Sequence, residues 1–507
     1  MTTANSSLPS RVDLLVDEWI GWLNKPLLRW QLALGWVFST IVFVALTHTS
    51  GGPSYGDASE TILPALAIAH GHLACAFPTH LPHDVVVLPF AAPLYPFLSA
   101  VLAFVVHVGH GVPFPTAAQL GPNCEHAVAA IYAWSTSVPM EPMIAFGYLG
   151  WLAVMFGIVA VLRTTSHAMT GWEPVTLALA AASPSVFQCV QTVAHPQDML
   201  AVGLILGALA SAFRRRWLLT GVLLGLSFTS QQFAILVIVA LVVALPRVAR
   251  TRMTLGTVAS VAAVGSPLMI FDPAGTLRAV LLGSNRLSVL GGDPSTFTGG
   301  TWLAALHLHG VVLFFIARAL PVLASAGVSW WVSRRLGERI LDPLPLLSLI
   351  GVALSLRLLF EENIFEYYFM AATIMLLVLM VLRIKWRGLT ITWVVAVTLA
   401  FSFTIVAYFS ADLVMFISIA AVFGLYVVIS TIRRGLRWSY AGLLVLLLLT
   451  ASPTLWGRPM WDQLVPTPVW QLLLTSWALV LAGEPLWTAI HVRDQRSTLH
   501  EPPQPVE

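Results

Sequence analysis

Charged residues are scarce in this chain of 507 residues: they make up 10% of it, whereas soluble proteins carry about 25%. Hydrophobic residues reach 58%, and the mean hydropathy is +0.84. Apolar runs of roughly 15 to 22 residues recur from end to end, and about 20 residues suffice to cross a bilayer core of ~30 Å. The sequence therefore predicts an all-α, polytopic membrane protein, with no soluble domain long enough to fold alone.

Several chemical signatures are also missing. The chain has no P-loop and no G-x-G-x-x-G motif after a strand, so we expect no nucleotide site. His70 and His72 do not have the spacing of metal ligands, and we expect neither a metal nor another cofactor. The net charge of +3 does not indicate a nucleic-acid partner, because the basic residues lie between the spans rather than on one face.

Cysteine is rare, with three residues in the chain. Cys75 and Cys124 both fall in the predicted first outer loop, where an oxidising compartment allows a disulfide. Two buried free thiols are the alternative, and the sequence leaves both possibilities open. Cys189 lies near the outer end of a predicted span.

The distribution of Lys and Arg predicts the orientation in the membrane. Cytoplasmic segments are enriched in these residues, so we place the tightest basic clusters on that side. They are Arg214–Arg216, Arg247/Arg250/Arg252, Arg334/Arg335/Arg339, Arg383/Lys385/Arg387 and Arg433/Arg434/Arg437. Both termini are then cytoplasmic. Most acidic residues and histidines fall outside, which places the predicted chemistry on the outer face of the cell membrane.

The predicted membrane domain covers residues 31–492 and contains about 11 to 14 spans. Residues 1–30 form a cytoplasmic segment with an interfacial helix, and residues 493–507 form a cytoplasmic tail. Residues 50–142 form a long first outer loop, in which we interpret residues 92–109 as a re-entrant or surface-lying helix.

A pair of short apolar segments follows Arg214–Arg216. Residues 217–231 and 232–245 are each shorter than a full span, and they are joined at "TSQQ". Non-helical backbone at membrane depth is tolerated where it lines a cavity. The pattern therefore predicts a helical hairpin that stops inside the membrane.

Ionisable groups are concentrated just after the first span, in "YGDASETILPALAIAHGHLACAFPTHLPHD" from Tyr55 to Asp84. A carboxylate in a half-buried pocket, such as that of Asp57, has a raised pKa and can take a proton from a hydroxyl group. Alternatively, Asp57 caps a helix and Glu60 completes a capping box. The residues alone favour the cap.

Two stretches resemble the GT-C superfamily of membrane glycosyltransferases. One is the first span followed by a long outer loop that opens with Gly56-Asp57. The other is "AHPQDMLAVGLILGALASAFRRRWLLTGVLLGLSFTSQQ" (Ala194 to Gln232), which is similar to actinobacterial polyprenol-phosphate-mannose-dependent mannosyltransferases. Gly221 and Gly225 keep the G-x-x-x-G spacing, whereas Gln231 and Gln232 stand where many members carry Lys. The resemblance covers roughly residues 30–250.

This resemblance implies a GT-C fold and an inverting hexosyltransferase that needs no cofactor. Its donor would be a sugar, mannose as the first guess, on a polyprenyl phosphate. The acceptor would be a lipid, glycan or protein at the outer membrane face. The resemblance also implies that Asp57 is the catalytic base, which deprotonates the acceptor hydroxyl.

Further candidates for substrate binding lie near the predicted outer surface. Arg278, Arg286 and Arg318 offer planar guanidinium groups for a lipid phosphate, although snorkelling at the interface is an equally simple reading. His307 and His309 could orient the leaving phosphate, although structural histidines are the commoner case.

Ionisable residues also occur at the ends of later spans. Arg357 and Glu361 are four residues apart and can pair on one helix face, and such groups at membrane depth are functional candidates. A structural ion pair is the alternative. His195 and Asp198 could line the acceptor path, although Asp198 in "HPQD" most simply caps its span.

The competing class is a transporter or a flippase for lipids or glycans. Such a protein places ionisable residues near the bilayer midplane and often shows repeat symmetry. Here the charges are predicted at the outer surface, and no convincing repeat is visible, which favours surface chemistry. A non-catalytic membrane subunit is a third possibility, and it would tolerate the loss of Asp57.

Overall fold

The computed structural model describes residues 21–48, 141–165, 170–181, 195–274, 310–360, 366–383 and 478–491, with isolated positions between them. Its helices are α1 (Arg29–His48), α2 (Glu141–Thr164), α3 (Trp172–Ala181), α4 (Pro196–Phe213), α5 (Trp217–Ser230), α6 (Ala234–Ala244), α7 (Arg247–Phe271), α8 (Gly310–Leu336), α9 (Pro343–Phe360), α10 (Met370–Arg383) and α11 (478–491). Short helical turns occur at Ala117–Leu120, Gly337–Leu341 and Glu366–Phe369. The described part of the chain contains no β-strand and confirms the predicted helical class.

Within the described residues, four helices are long and apolar enough to cross a membrane, as judged by length and composition: Ala145–Thr164 within α2, and α4, α7 and α9. They support the prediction of a membrane protein. The apolar run of residues 254–271 predicts a span that starts at residue 254, whereas helix α7 begins at Arg247. The reason is that hydropathy detects only the lipid-facing part of a helix, whereas a helical backbone continues through a polar end. The total number of spans stays a prediction.

Glycines bring α2 and α4 into close contact along their length. A Cβ atom added at Gly150 would lie 2.9 Å from the carbonyl oxygen of Pro196, and one at Gly157 would lie 2.7 Å from the Cβ of Leu206. A Cβ at Gly203 would overlap the backbone of Ala153. Residue numbers rise together along both helices, so they run parallel and their N-termini lie at the same end.

Helices α5 and α7 pack in the same way. A Cβ at Gly221 would overlap the carbonyl oxygen of Met253, and one at Gly225 would overlap the hydroxyl of Ser260. Thr257 Oγ1 donates a hydrogen bond of 3.1 Å to the carbonyl oxygen of Gly221. Small residues and interhelical hydrogen bonds are the usual means of helix association in membranes. The G-x-x-x-G pattern therefore has a packing role here.

A buried carboxylate joins α1, α2 and α3 through one ion pair and one hydrogen bond, and the sequence did not predict this cluster. The carboxylate of Glu173, fully buried, accepts hydrogen bonds from Trp36 Nε1 at 2.7 Å and from Arg163 Nη2 at 3.0 Å. The Arg163 guanidinium also lies 5.7 Å from the centre of the Trp36 ring. A buried carboxylate needs such partners to offset its desolvation, so the cluster fixes how these three helices pack.

Helices α5 and α6 are short. They contain 14 and 11 residues, about 21 Å and 16 Å of helix, which is less than the ~30 Å of a bilayer core. The start of α4 is recessed relative to the start of α2. Pro196, the first residue of α4, packs against Gly150, and the N-terminal part of α2 continues nine residues, about 13 Å, beyond that contact. The turn between α5 and α6 therefore lies at the same depth as the recessed start of α4.

Candidate functional site

The candidate site is built on the first turn of α4. Pro196 occupies the first helical position, where its missing N–H costs nothing. His195 is the N-cap residue, and its backbone N–H donates to the carbonyl oxygen of Cys189 at 2.6 Å. Asp198 is buried in the first turn, where the positive end of the helix dipole favours a carboxylate. The suggestion that Asp198 is the N-cap residue is therefore wrong, because His195 takes that position.

The end of α5 is hydrogen-bonded to the start of α4. Gln231 Nε2 donates to Asp198 Oδ1, which gives the buried carboxylate a neutral donor. Ser230 Oγ donates to the carbonyl oxygen of Gln197 at 3.1 Å. One turn further down, Ser227 Oγ donates to the carbonyl oxygen of Ala201 at 2.9 Å. These three bonds hold the turn between α5 and α6 against the carboxylate.

His195 and Gln197 form a second polar pair at this end. The Gln197 amide nitrogen lies 2.7 Å from His195 Nδ1. If this nitrogen donates, Nδ1 is the acceptor, and a neutral imidazole then carries its proton on Nε2. Burial, together with the positive charge of Arg357, lowers the pKa of His195 to about 3. The imidazole is therefore neutral at physiological pH and does not act as a cation.

Arg357 supplies the positive charge of the site. It lies in the last turn of α9, and its guanidinium carbon is 5.0 Å from the centre of the Phe233 ring and 4.5 Å from that of Tyr368. Phe233 follows the turn after α5, and Tyr368 belongs to the short helix before α10. Cation–π contacts of this kind are worth about 0.5–2 kcal/mol each and orient the planar group. Two rings on separate elements therefore position this guanidinium.

Three predicted site residues, His195, Asp198 and Arg357, are thus brought to one end of the helix assembly. Arg318 is half-buried in the first third of α8, which packs against α6 and α9. The remaining predicted residues lie outside the described part of the chain: Asp57, Glu60, Cys75, Cys124, Arg278, Arg286, His307, His309 and Glu361. Their roles stay predictions.

The other members of the cluster have weaker sequence signals. Gln197 lies in "HPQD", Gln231 and Phe233 lie in "TSQQF", and Tyr368 lies in "FEYYF". Each is a polar or aromatic residue at the end of an apolar run. That position, rather than residue type, is the signal by which they could have been found.

The described residues contain no group of three or more His, Cys, Asp or Glu side chains able to hold a metal ion. Among the described residues, the cluster offers one carboxylate, one guanidinium, one neutral imidazole and the amides of Gln197 and Gln231. Chemically, this set can bind an anionic group together with neutral hydroxyl groups. The chain matches no known family model and no curated protein.

Proposed function

We propose that the protein transfers a sugar, mannose as the first guess, from a polyprenyl-phosphate donor to a membrane-associated acceptor at the outer face of the cell membrane. The observation that carries the proposal is the position of Arg357, which lies at the recessed end of a largely apolar helix assembly, near His195 and two aromatic rings. A charged group at membrane depth is costly, and it is a functional candidate by default.

Arg357 is suited to bind the phosphate of the donor. A guanidinium group makes two parallel hydrogen bonds to a phosphate. The recessed position agrees with a substrate whose phosphate enters from the bilayer on a polyprenyl chain. As the phosphate leaves, its negative charge grows, so the same arginine stabilises the departing group.

The acceptor side of the reaction rests on the resemblance described above. Asp57 removes the proton of an acceptor hydroxyl, the hydroxyl oxygen attacks the anomeric carbon, and the bond from that carbon to the phosphate oxygen breaks. The products are an inverted glycosidic linkage and a polyprenyl phosphate. Asp198 is bound to Gln231 and is therefore better suited to hold the turn after α5 than to accept this proton.

A transporter or flippase is the second candidate, and one observation favours it. Helices α5 and α6 are both too short to span, and they meet at the polar cluster. Discontinuous helices that end at a buried binding site are common in secondary transporters. A proton or sodium pathway usually uses several acidic groups, so a transport reading predicts further carboxylates along the path from Asp198.

A deletion strain separates the two functions. Its membrane lipids and glycans are profiled by mass spectrometry, and the strain is complemented with the wild type, with Arg357→Gln and with Arg214→Gln, a change in the basic turn at the other end of α4. The proposal expects an under-glycosylated acceptor that the wild type and Arg214→Gln restore to full length and Arg357→Gln does not. Unchanged glycans with altered solute uptake would support transport instead.

A further inference from the structure

Gln197 has a hydrogen-bonding group that the described structure does not satisfy. Its side chain is fully buried, its amide nitrogen faces His195, and its Oε1 atom has no partner among the described residues. A buried polar group without a partner costs about 1–3 kcal/mol. Such groups are rare in native proteins, and each one requires an explanation, such as a bound ligand or a water molecule.

The unsatisfied group does not depend on how the amide is oriented. The nitrogen and oxygen of an amide are not distinguished by shape, so the reverse orientation is equally open. In the reverse orientation, the oxygen faces a protonated Nδ1 of His195 and the NH₂ group is left without a partner. Either way, one end of the Gln197 amide is unpaired, within about 5 Å of His195 Nδ1.

The missing partner must be small and must suit both orientations. A hydroxyl group is both a donor and an acceptor, so it can bind the oxygen or the NH₂ group. A phosphate oxygen accepts only, and it would suit one orientation. The position also matters, because Gln197 lies one residue from Asp198 and two from His195, at the same end as Arg357.

We propose that Gln197 binds a hydroxyl group of the sugar and makes the site prefer a glycosylated polyprenyl phosphate to the bare lipid phosphate. This inference rests on the proposed function. Arg357 recognises the phosphate that both lipids share, and Gln197 recognises the sugar that only the donor carries. The backbone of Gln197 is fixed by the hydrogen bond from Ser230 to its carbonyl oxygen, which holds the amide in place.

The test compares two soluble short-chain probes, citronellyl phosphate and citronellyl-phosphoryl mannose. Their dissociation constants are measured by isothermal titration calorimetry on the full chain in lipid nanodiscs. The wild type should bind the mannosylated probe about three- to tenfold more tightly, the value of one hydrogen bond. Gln197→Met keeps the length of the side chain and removes the amide, so it should abolish this preference and leave the affinity for citronellyl phosphate within about twofold.

Ser329→Ala is the matched control, because it removes another buried polar atom that has no partner among the described residues, in the half of α8 away from the site. It should keep the preference. If Gln197→Met misfolds and binds neither probe, Gln197→Asn is tested in its place. This variant retains an amide on a shorter side chain, so it should bind citronellyl phosphate as the wild type does and lose the preference for the mannosylated probe.

The outcomes separate the inference from the proposed function. A preference that persists in Gln197→Met or in a folded Gln197→Asn overturns the role of Gln197, and the buried amide then binds water. Equal affinity of the wild type for both probes also overturns it, while leaving the transferase proposal standing. Failure of the wild type to bind either probe overturns both.

Discussion

The amide of Gln231 and the carboxylate of Asp198 lie 33 residues apart in sequence and are hydrogen-bonded at the junction of α5 and α4. The pair ties the turn after a half-length helix to the first turn of a full-length one. Asp198 is buried, and both this donor and the positive end of its helix dipole favour a carboxylate at that position. The junction also fixes the backbone that leads into Phe233, one of the two rings beside Arg357.

Replacement of Gln231 by Met should destabilise the protein. It leaves the buried Asp198 carboxylate without this donor, which costs about 1–3 kcal/mol, and the thermal unfolding midpoint in detergent should fall. The double variant Asp198→Leu/Gln231→Met removes both partners, and it should recover most of the loss, because an apolar pair leaves no buried charge. A single variant as stable as the wild type would show that the bond contributes little.

The glycines between α5 and α7 should not tolerate a methyl group. In Gly221→Ala the new Cβ overlaps the carbonyl oxygen of Met253, so α5 and α7 must separate, at a cost of about 1–3 kcal/mol. Gly327→Ala is the control, because a Cβ there meets no atom within 4 Å and alanine favours the helix. Thermal unfolding of both variants tests this. Equal midpoints for the two would contradict the packing account.

The aromatic contact should contribute to donor binding. Phe233→Leu keeps an apolar side chain but removes the ring beside Arg357, and the affinity for citronellyl phosphate should fall about 2- to 30-fold, as expected for loss of one cation–π contact. Phe156→Leu removes a ring that packs edge-on against Trp36, near the Arg163–Glu173 ion pair, and should leave the affinity unchanged. Equal affinities for the two variants would mean that Phe233 does not position the guanidinium.

His195 should make stability depend on pH. Its pKa is lowered from 6.5 to about 3, so below pH 6.5 the unfolded chain takes up a proton that the folded protein does not. The free energy of unfolding is therefore unaffected by protonation of His195 above pH 6.5, and it decreases as the pH falls from 6.5 towards 3. The unfolding midpoint of the wild type should therefore decline more steeply between pH 6.5 and 4 than that of His195→Gln. Parallel declines would show that His195 titrates normally.

The helices were predictable from the sequence because lipid demands continuous apolar runs. The apolar runs of residues 143–162, 198–213 and 217–231 predict spans whose ends fall within a few residues of those of α2, α4 and α5. The short pair α5 and α6 was also predictable, since each apolar run is too short to cross. For these helices, the composition of each segment alone is enough to predict where the helix lies and how long it is.

Contacts between distant segments could not be predicted in the same way. Nothing local in "TSQQ" indicates that Gln231 donates to Asp198, and nothing in Trp36 indicates that its indole binds Glu173 across 137 residues. These partners are selected by the helix packing that the glycines allow. The cluster around Arg357 likewise draws its rings from two other elements. Residue type identified the charged candidates, and tertiary packing decided their neighbours.

The central claim, sugar transfer from a polyprenyl-phosphate donor, is tested most directly by reconstitution. The purified protein is placed in liposomes with radiolabelled polyprenyl-phosphoryl mannose and a membrane extract from the deletion strain, and label in the acceptor fraction is counted. The wild type should transfer the label. Asp57→Asn should lower the rate by roughly 10²–10⁴-fold, the usual contribution of a general base, while thermal stability stays near that of the wild type. No transfer by the wild type, or undiminished transfer by Asp57→Asn, would contradict the account.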